Sequence, residues 1–151
     1  MIVREATHED LETLRRFEQG VISAERPFDV TMKEEKITYY DLPGLISSSA
    51  AALMVVEDKK RLLGSGYVLI KPAEKSYNLF KEYAYIGFMY VVPEERGRGV
   101  NKLILDALIS WAKSKSIVEI RLEVYAENAS AVKAYEKAGF KPLLTTMRLE
   151  C

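Results

Sequence analysis

Residues 83–101 read YAYIGFMYVVPEERGRGVN, and the fold turns on how this stretch is parsed. The part from Tyr83 to Val92 is almost wholly apolar or aromatic and rich in β-formers, the composition of a strand covered on both faces. Pro93 ends it, because the ring removes a ladder donor and holds Val92 extended. Glu94, Glu95 and Arg96 make an exposed turn, and Gly97 and Gly99 follow just before a helical pattern begins. Two glycines at such a junction permit φ angles closed to other residues and leave backbone N–H groups uncovered at the helix start. An anion fits there, most naturally a phosphate.

Downstream, Val100, Leu103, Ile104, Ala107, Leu108 and Trp111 fall at offsets 0, 3, 4, 7, 8 and 11 of one helix face. Lys113 and Lys115 lie in its last turn, where cations suit the dipole. Residues 117–125 (IVEIRLEVY) alternate as a strand, with Ile120, Leu122 and Val124 on one side and Glu119, Arg121 and Glu123 on the other. Strand, helix and strand form a right-handed parallel βαβ unit. Asn128-Ala129-Ser130 offers caps to a short helix through Ala138 that Gly139 ends, and residues 140–150 are expected to hairpin back as a last strand.

Upstream, residues 1–6 suit a short first strand. Thr7 has an acidic residue, Asp10, at the spacing of a helix N-terminus. Leu11, Leu14, Phe17, Val21 and Ile22 recur near helical spacing, with Gly20 marking a break before Pro27. Residues 31–40 suggest a second short helix, closed by a turn at Asp41-Leu42-Pro43-Gly44. Residues 51–57 and 62–71 are apolar runs separated by a charged turn, Asp58 to Arg61, which predicts a hairpin. Gly64 and Gly66 inside the second run predict a bulge or a close backbone approach.

The whole chain of 151 residues fits one domain. A 48% hydrophobic and 29% charged composition excludes disordered and fibrous classes. Lysine plus arginine equals aspartate plus glutamate at 22 each, which gives no electrostatic support for nucleic-acid or membrane partners. No apolar run approaches the roughly 20 residues that span a bilayer, and MIVREATHED lacks a signal-peptide core, so a cytoplasmic location is expected. Cys151 and His8 are each the only residue of their type, which leaves no internal disulfide and no cysteine-based metal cluster. No metal is expected.

Two separated stretches carry a resemblance. The run Arg96-Gly97-Arg98-Gly99-Val100-Asn101 resembles the acyl-CoA pyrophosphate loop of the GNAT superfamily of N-acetyltransferases, whose pattern is Arg/Gln-x-x-Gly-x-Gly/Ala. Asn128, Ser130, Ala131, Tyr135 and Gly139-Phe140 resemble that superfamily's second signature. One departure is Asn101, where the pattern has glycine or alanine. The resemblance implies a three-layer fold: a mixed, mostly antiparallel sheet of six to seven strands with helices on both faces. It also implies acetyl-CoA as co-substrate, an amine acceptor, and direct acetyl transfer without a covalent enzyme intermediate. Related folds often pair, so a homodimer is compatible with it.

Residue by residue, the resemblance gives the diphosphate to Arg96, Gly97 and the N–H groups of Arg98, Gly99, Val100, Asn101 and Lys102. It makes the strand around Tyr90, Val91 and Val92 bulged, splayed from its parallel neighbour and hydrogen-bonded to the pantetheine arm. A donor at Tyr90 or Val91 would polarise the thioester carbonyl. Asn128, Ala131 and Tyr135 would face the cofactor, with Tyr135 the general acid for the departing thiolate. Many relatives carry a glutamate base on the central strand, whereas the equivalent position here is Gly87. Glu82, Tyr85, Tyr90 or a bridging water are the substitutes.

Glu25, Arg26, Phe28, Asp29, Tyr39 and Tyr40 supply polar and aromatic tips of the sort that line an acceptor pocket. A catalytically silent acyl-CoA-binding module is the competing reading of the same motifs. An RNA-binding reading of Arg96 to Gly99 is disfavoured by the flanking acidic residues.

Overall fold

The computed structural model describes residues 1–151. In chain order it contains β1 (Ile2–Glu5), α1 (Leu11–Glu25), α2 (Leu42–Ser47), β2 (Ala51–Asp58), β3 (Arg61–Pro72), β4 (Glu82–Val91), α3 (Val100–Ser114), β5 (Ile120–Leu122) and α4 (Ala129–Lys137), with 3-10 turns at His8–Asp10 and Pro93–Glu95. The strands form one sheet in the order β1-β2-β3-β4-β5. Every neighbouring pair is antiparallel except β4 with β5. The β2–β3 turn is tight because Lys59 and Lys60 both take left-handed φ values of 50° and 65°, matching the twist of a two-residue hairpin. No helix is long and apolar enough to cross a membrane.

Helices cover both faces. On one, Leu14, Phe17 and Val21 of α1 and Leu42 of α2 pack on Leu53, Val55, Tyr67, Phe88 and Val92. On the other, Val100, Ile104, Leu105, Leu108 and Ala112 of α3 pack on Ala52, Val56, Leu63, Val68, Ala84 and Ile86. The close approach predicted at Gly64 and Gly66 is made by β4 first, where a Cβ would lie 2.6 Å from Tyr90 O and 2.6 Å from Met89 Sδ respectively, and then by α3. Side chains there would bring a Cβ within 3.0 and 2.8 Å of Ile104. The predicted α3 face is right in outline, but Leu103 turns outward and Leu105 and Ala112 are buried in its place.

The structure corrects six expectations. The sheet has five strands rather than six to seven. The strand expected over 117–125 shrinks to Ile120–Leu122, and residues 140–150 form no strand. Pro142 interrupts the expected ladder, and a three-residue β5 offers little to register against. Residues 31–40 are not helical, because α1 side chains occupy their backbone groups. Glu18 accepts from the Tyr39 and Tyr40 N–H groups at 2.8 Å each, and Gln19 donates to Ile37 O at 2.8 Å. Arg26 donates to Lys33 O and Glu35 O. The helix α2 instead begins where a turn was expected, as Asp41 accepts from Gly44 N at 3.1 Å and Pro43 sits in the first turn. Gly20 does not break α1. A Cβ there would lie 2.5 Å from the Tyr90 ring, which stacks beside Phe17 at 4.9 Å.

Candidate active site

Parallel pairing between β4 and β5 stops at Ile86 opposite Leu122, while β4 continues to Val91. The two strands therefore part, leaving a split in the sheet. Just beyond it the β3–β4 register steps from Tyr67 opposite Gly87 to Ser65 opposite Tyr90, so β4 contains one extra residue. Phe88 absorbs it with a left-handed φ of 56°, a conformation costing about 1–2 kcal/mol for a non-glycine residue. Two contacts hold it. Buried Ser65 donates to Phe88 O at 3.2 Å, and the buried Phe88 ring lies 4.8 Å from that of Tyr40.

The chain leaving β4 reaches α3 through the glycine turn. Gly97 and Gly99 have φ of 78° and 82°, as the sequence required, and nothing lies within 4 Å of a Cβ built on either. The first α3 bond runs from Leu103 N to Gly99 O at 3.1 Å, leaving the N–H groups of Val100, Asn101 and Lys102 with no carbonyl in their own helix. An open surface with unpaired donors at a helix start fits a diphosphate. The Arg96 Nε donates to Val91 O at 3.3 Å, folding across the turn. Arg98 is paired with Glu95 at 2.6 Å and Lys102 with Asp106 at 2.7 Å. The Val92 N–H is engaged with Leu63 O at 2.9 Å, which removes it from the available backbone donors.

On α4, Asn128 caps the helix by accepting from Ala131 N at 3.3 Å. Tyr135 lies edge-on to Phe140, ring centres 6.0 Å apart. Burial, and after it the charge of Glu25, pushes the Tyr135 phenol up.

The expected acceptor residues divide. The guanidinium of Arg26 braces the following loop, and Glu82 is exposed at the far end of β4, opposite Pro72. Glu25, Phe28, Asp29, Tyr39 and Tyr40 do come together, joined by Tyr125, which sequence reasoning missed. Tyr39 donates to Glu25 at 2.8 Å, Tyr125 donates to Asp29 at 2.7 Å, and Tyr85 donates to Glu123 at 3.1 Å. Phe28 stacks on Tyr125 at 6.3 Å. Burial drives the Tyr39, Tyr40, Tyr85 and Tyr125 phenols well above their ordinary range.

Tyr125 follows the short strand β5 at the split, so a tyrosine at that strand's end was the available signal. Glu18 was legible too: a carboxylate inside the apolar stripe of α1 must be partnered if buried. Gly87 is closed by Tyr67, whose ring Cζ and Oη would lie 2.6 Å from a Cβ there. A concavity of about 550 Å³, lined by residues such as Val3, Met54 and Trp111, contains none of these groups.

The profile of the Acetyltransferase (GNAT) family matches residues 11–140. Mycothiol acetyltransferase of Rhodococcus opacus (strain B4) is 29% identical over 106 residues, 68% of this chain and 31% of that protein. Aminoglycoside N(6')-acetyltransferase type 1 of Klebsiella aerogenes is 30% identical over 100 residues, 66% of this chain and 64% of that protein. The chain thus spans less than two thirds of the length of these relatives. Among solved structures, a tetramutant of the BH1408 protein from Bacillus halodurans superposes with a TM-score of 0.86 at 23% identity, covering 100% of both chains. A predicted acetyltransferase from Clostridium acetobutylicum, solved with acetyl-CoA, gives 0.77 at 20% identity over 99% of this chain and 95% of that one. These two likenesses bear on the fold. The matched span takes in α1, the whole of β2 to β5, the glycine turn and Tyr135, and on that match the chain belongs to the Acetyltransferase (GNAT) family.

Proposed function

We propose that this chain moves an acetyl group from acetyl-CoA to a primary amine of a small molecule or peptide, by direct attack within a ternary complex. One observation carries the reading: β4 and β5 part immediately beside the bulge at Phe88, and β4 then runs into an open, glycine-lined helix start. The backbone of the turn, with Arg96, would hold the diphosphate. The edge of β4 at Tyr90 and Val91 would hold the pantetheine arm as an added strand and present an N–H to the thioester oxygen. Bound acetyl-CoA supplies an acetyl group activated as a thioester. Tyr135 keeps its proton at neutral pH, since its phenol is raised, and can give it to the leaving sulfur. Asn128 supports this by starting α4 and so setting where Tyr135 sits.

Tyr135→Phe tests the reading. Turnover should fall about 10²–10⁴-fold near neutral pH while acetyl-CoA affinity stays close to wild type; unchanged turnover would remove Tyr135 from the acid role. A second reading, an acyl-CoA-binding module without catalysis, is favoured by Gly87, the position equivalent to the glutamate that many members of the superfamily carry, where Tyr67 leaves no room for a side chain. Calorimetric binding of acetyl-CoA with no thiol release across a broad amine panel would select it.

A further inference from the structure

Glu25 is the last residue of α1 and is half-buried. Its Oε2 accepts from the Tyr39 hydroxyl at 2.8 Å, and no basic side chain pairs with it. Arg26, next in sequence, points its guanidinium at Lys33 O and Glu35 O instead. The titratable groups that feel the Glu25 charge come from every element around the split. They are Tyr39 and Tyr40 from the loop after α1, Tyr85 from β4, Tyr125 beyond β5 and Tyr135 from α4, each raised mainly by burial and further by the Glu25 charge. Asp29 is the nearby carboxylate, itself held by Thr31 and Tyr125, with Arg148 as the cation acting on it. Glu25 O also accepts from Phe28 N and Asp29 N at 2.9 and 3.1 Å, and these two residues meet Tyr125 just beyond β5. Glu25 therefore stands beside the split and within electrostatic reach of the proposed acid. Across the sheet face, the position that would present a carboxylate from β4 is Gly87, and the Tyr67 ring fills the space beside it.

We propose that Glu25 is the base that takes the proton from the acceptor's ammonium group, supplying from the end of α1 what β4 lacks at Gly87. The proposal rests on the acetyl-transfer reading above and specifies its acceptor as an alkylamine that is an ammonium ion at neutral pH, with a pKa of about 10.4. Oε1, free of the Tyr39 bond, takes one ammonium proton. The nitrogen lone pair then forms the C–N bond at the thioester carbonyl carbon, and the C–S bond breaks with its electron pair left on sulfur. The thiolate takes the phenolic proton of Tyr135. The second nitrogen proton passes through water to restore Tyr135, and Glu25 releases its proton to water, so one proton is liberated per turnover. Burial raises the Glu25 carboxyl against the opposing pull of the Tyr39 bond, with Asp29 adding to the rise. A higher proton affinity suits a base working near neutral pH.

The experiment follows thiol release from acetyl-CoA between about pH 6 and about pH 10, using whichever amine the wild-type chain acetylates fastest among alkyl diamines, aminoglycosides, amino acids and peptides. In Glu25→Gln, kcat/KM should fall about 10²–10⁴-fold at pH 7, with the loss narrowing as pH rises and free amine accumulates. In Tyr39→Phe the acid limb should move upward by about half to one pH unit, whatever the height of the plateau, because a hydrogen bond to the carboxylate has gone. Calorimetric acetyl-CoA affinity near wild type shows that each variant is folded.

No loss in Glu25→Gln, or a loss equal at every pH, overturns the base role while leaving the transfer reading standing. A wild-type chain that binds acetyl-CoA but releases no thiol with any amine overturns both. If the glutamine variant does not fold, Tyr39→Phe decides alone, and an unmoved acid limb overturns the proposal.

Discussion

Gly87→Ala should destabilise the protein through one ring. The added Cβ would lie 2.6 Å from Cζ and Oη of Tyr67 and 3.0 Å from Cε2, about 1 Å inside the usual carbon contact of roughly 3.5–4.0 Å. Tyr67 cannot swing aside freely. It is 9% exposed, with Tyr40 edge-on at 5.7 Å and Tyr85 at 6.3 Å. Overpacking of this kind costs about 1–3 kcal/mol. Against it stands a gain of about 0.4–1 kcal/mol from restricting the unfolded chain, leaving a net loss of about 1–2 kcal/mol. In a Tyr67→Leu background the crowding atoms are gone, so the same alanine should be neutral or slightly stabilising. Urea midpoints at constant m-value would measure the cycle. An interaction energy of about 1–3 kcal/mol is expected, whereas effects that add within about 0.5 kcal/mol would refute the claim that Tyr67 closes position 87.

Two further outcomes follow from hydrogen bonds to carboxylates. Glu18→Ala should cost about 2–4 kcal/mol in urea unfolding, since it leaves the Tyr39 and Tyr40 N–H groups without their 2.8 Å partner; a loss below about 0.5 kcal/mol would show that the loop does not depend on it. Asp10 accepts from Arg4 at 2.8 and 3.0 Å and from Thr7 N at 2.8 Å, and the Arg4 bond leads in holding its carboxyl below the ordinary range. A depressed carboxyl stabilises above its unfolded value of about 3.9 and loses that contribution as pH falls through the folded value. Asp10→Asn should therefore lower stability by about 1–2 kcal/mol at pH 7, with melting curves converging on wild type in acid; a gap independent of pH would contradict the linkage.

The legible parts of the fold were those whose signal is local. Gly97 and Gly99 declare left-handed backbone, the α3 stripe declares its period, and the Asp58 to Arg61 turn declares a hairpin; each appears in the structure as read. Residues 31–40 were misread because their backbone is satisfied by Glu18, Gln19 and Arg26, side chains from another element that propensity cannot weigh. The bulge location was hidden as well: Phe88, a bulky aromatic, takes the conformation that a sequence reader assigns to glycine. At the site, the glycine turn and the capping role of Asn128 were visible. The bonds from Tyr39 to Glu25, Tyr125 to Asp29 and Tyr85 to Glu123 were not, because they join residues from α1, loops, β4 and the chain after β5.

The extra residue in β4 has one further effect, on parity. Before it, Ala84 and Ile86 belong to the α3-side core while Tyr85 packs toward α1; after it, Met89 and Val91 lie on the α3 side while Tyr90 and Val92 lie toward α1. Even-numbered residues thus exchange faces with odd-numbered ones at Phe88, which shares the α1 side with its neighbour Gly87. The strand is two half-strands in opposite phase, joined by a single step. Both faces are covered by helices, so the sequence is apolar in either phase and the switch leaves no mark on its pattern. The opposite phase also means that removing one residue at the step would turn Tyr90 and Val92 over together, and with them the direction in which the chain enters the glycine turn.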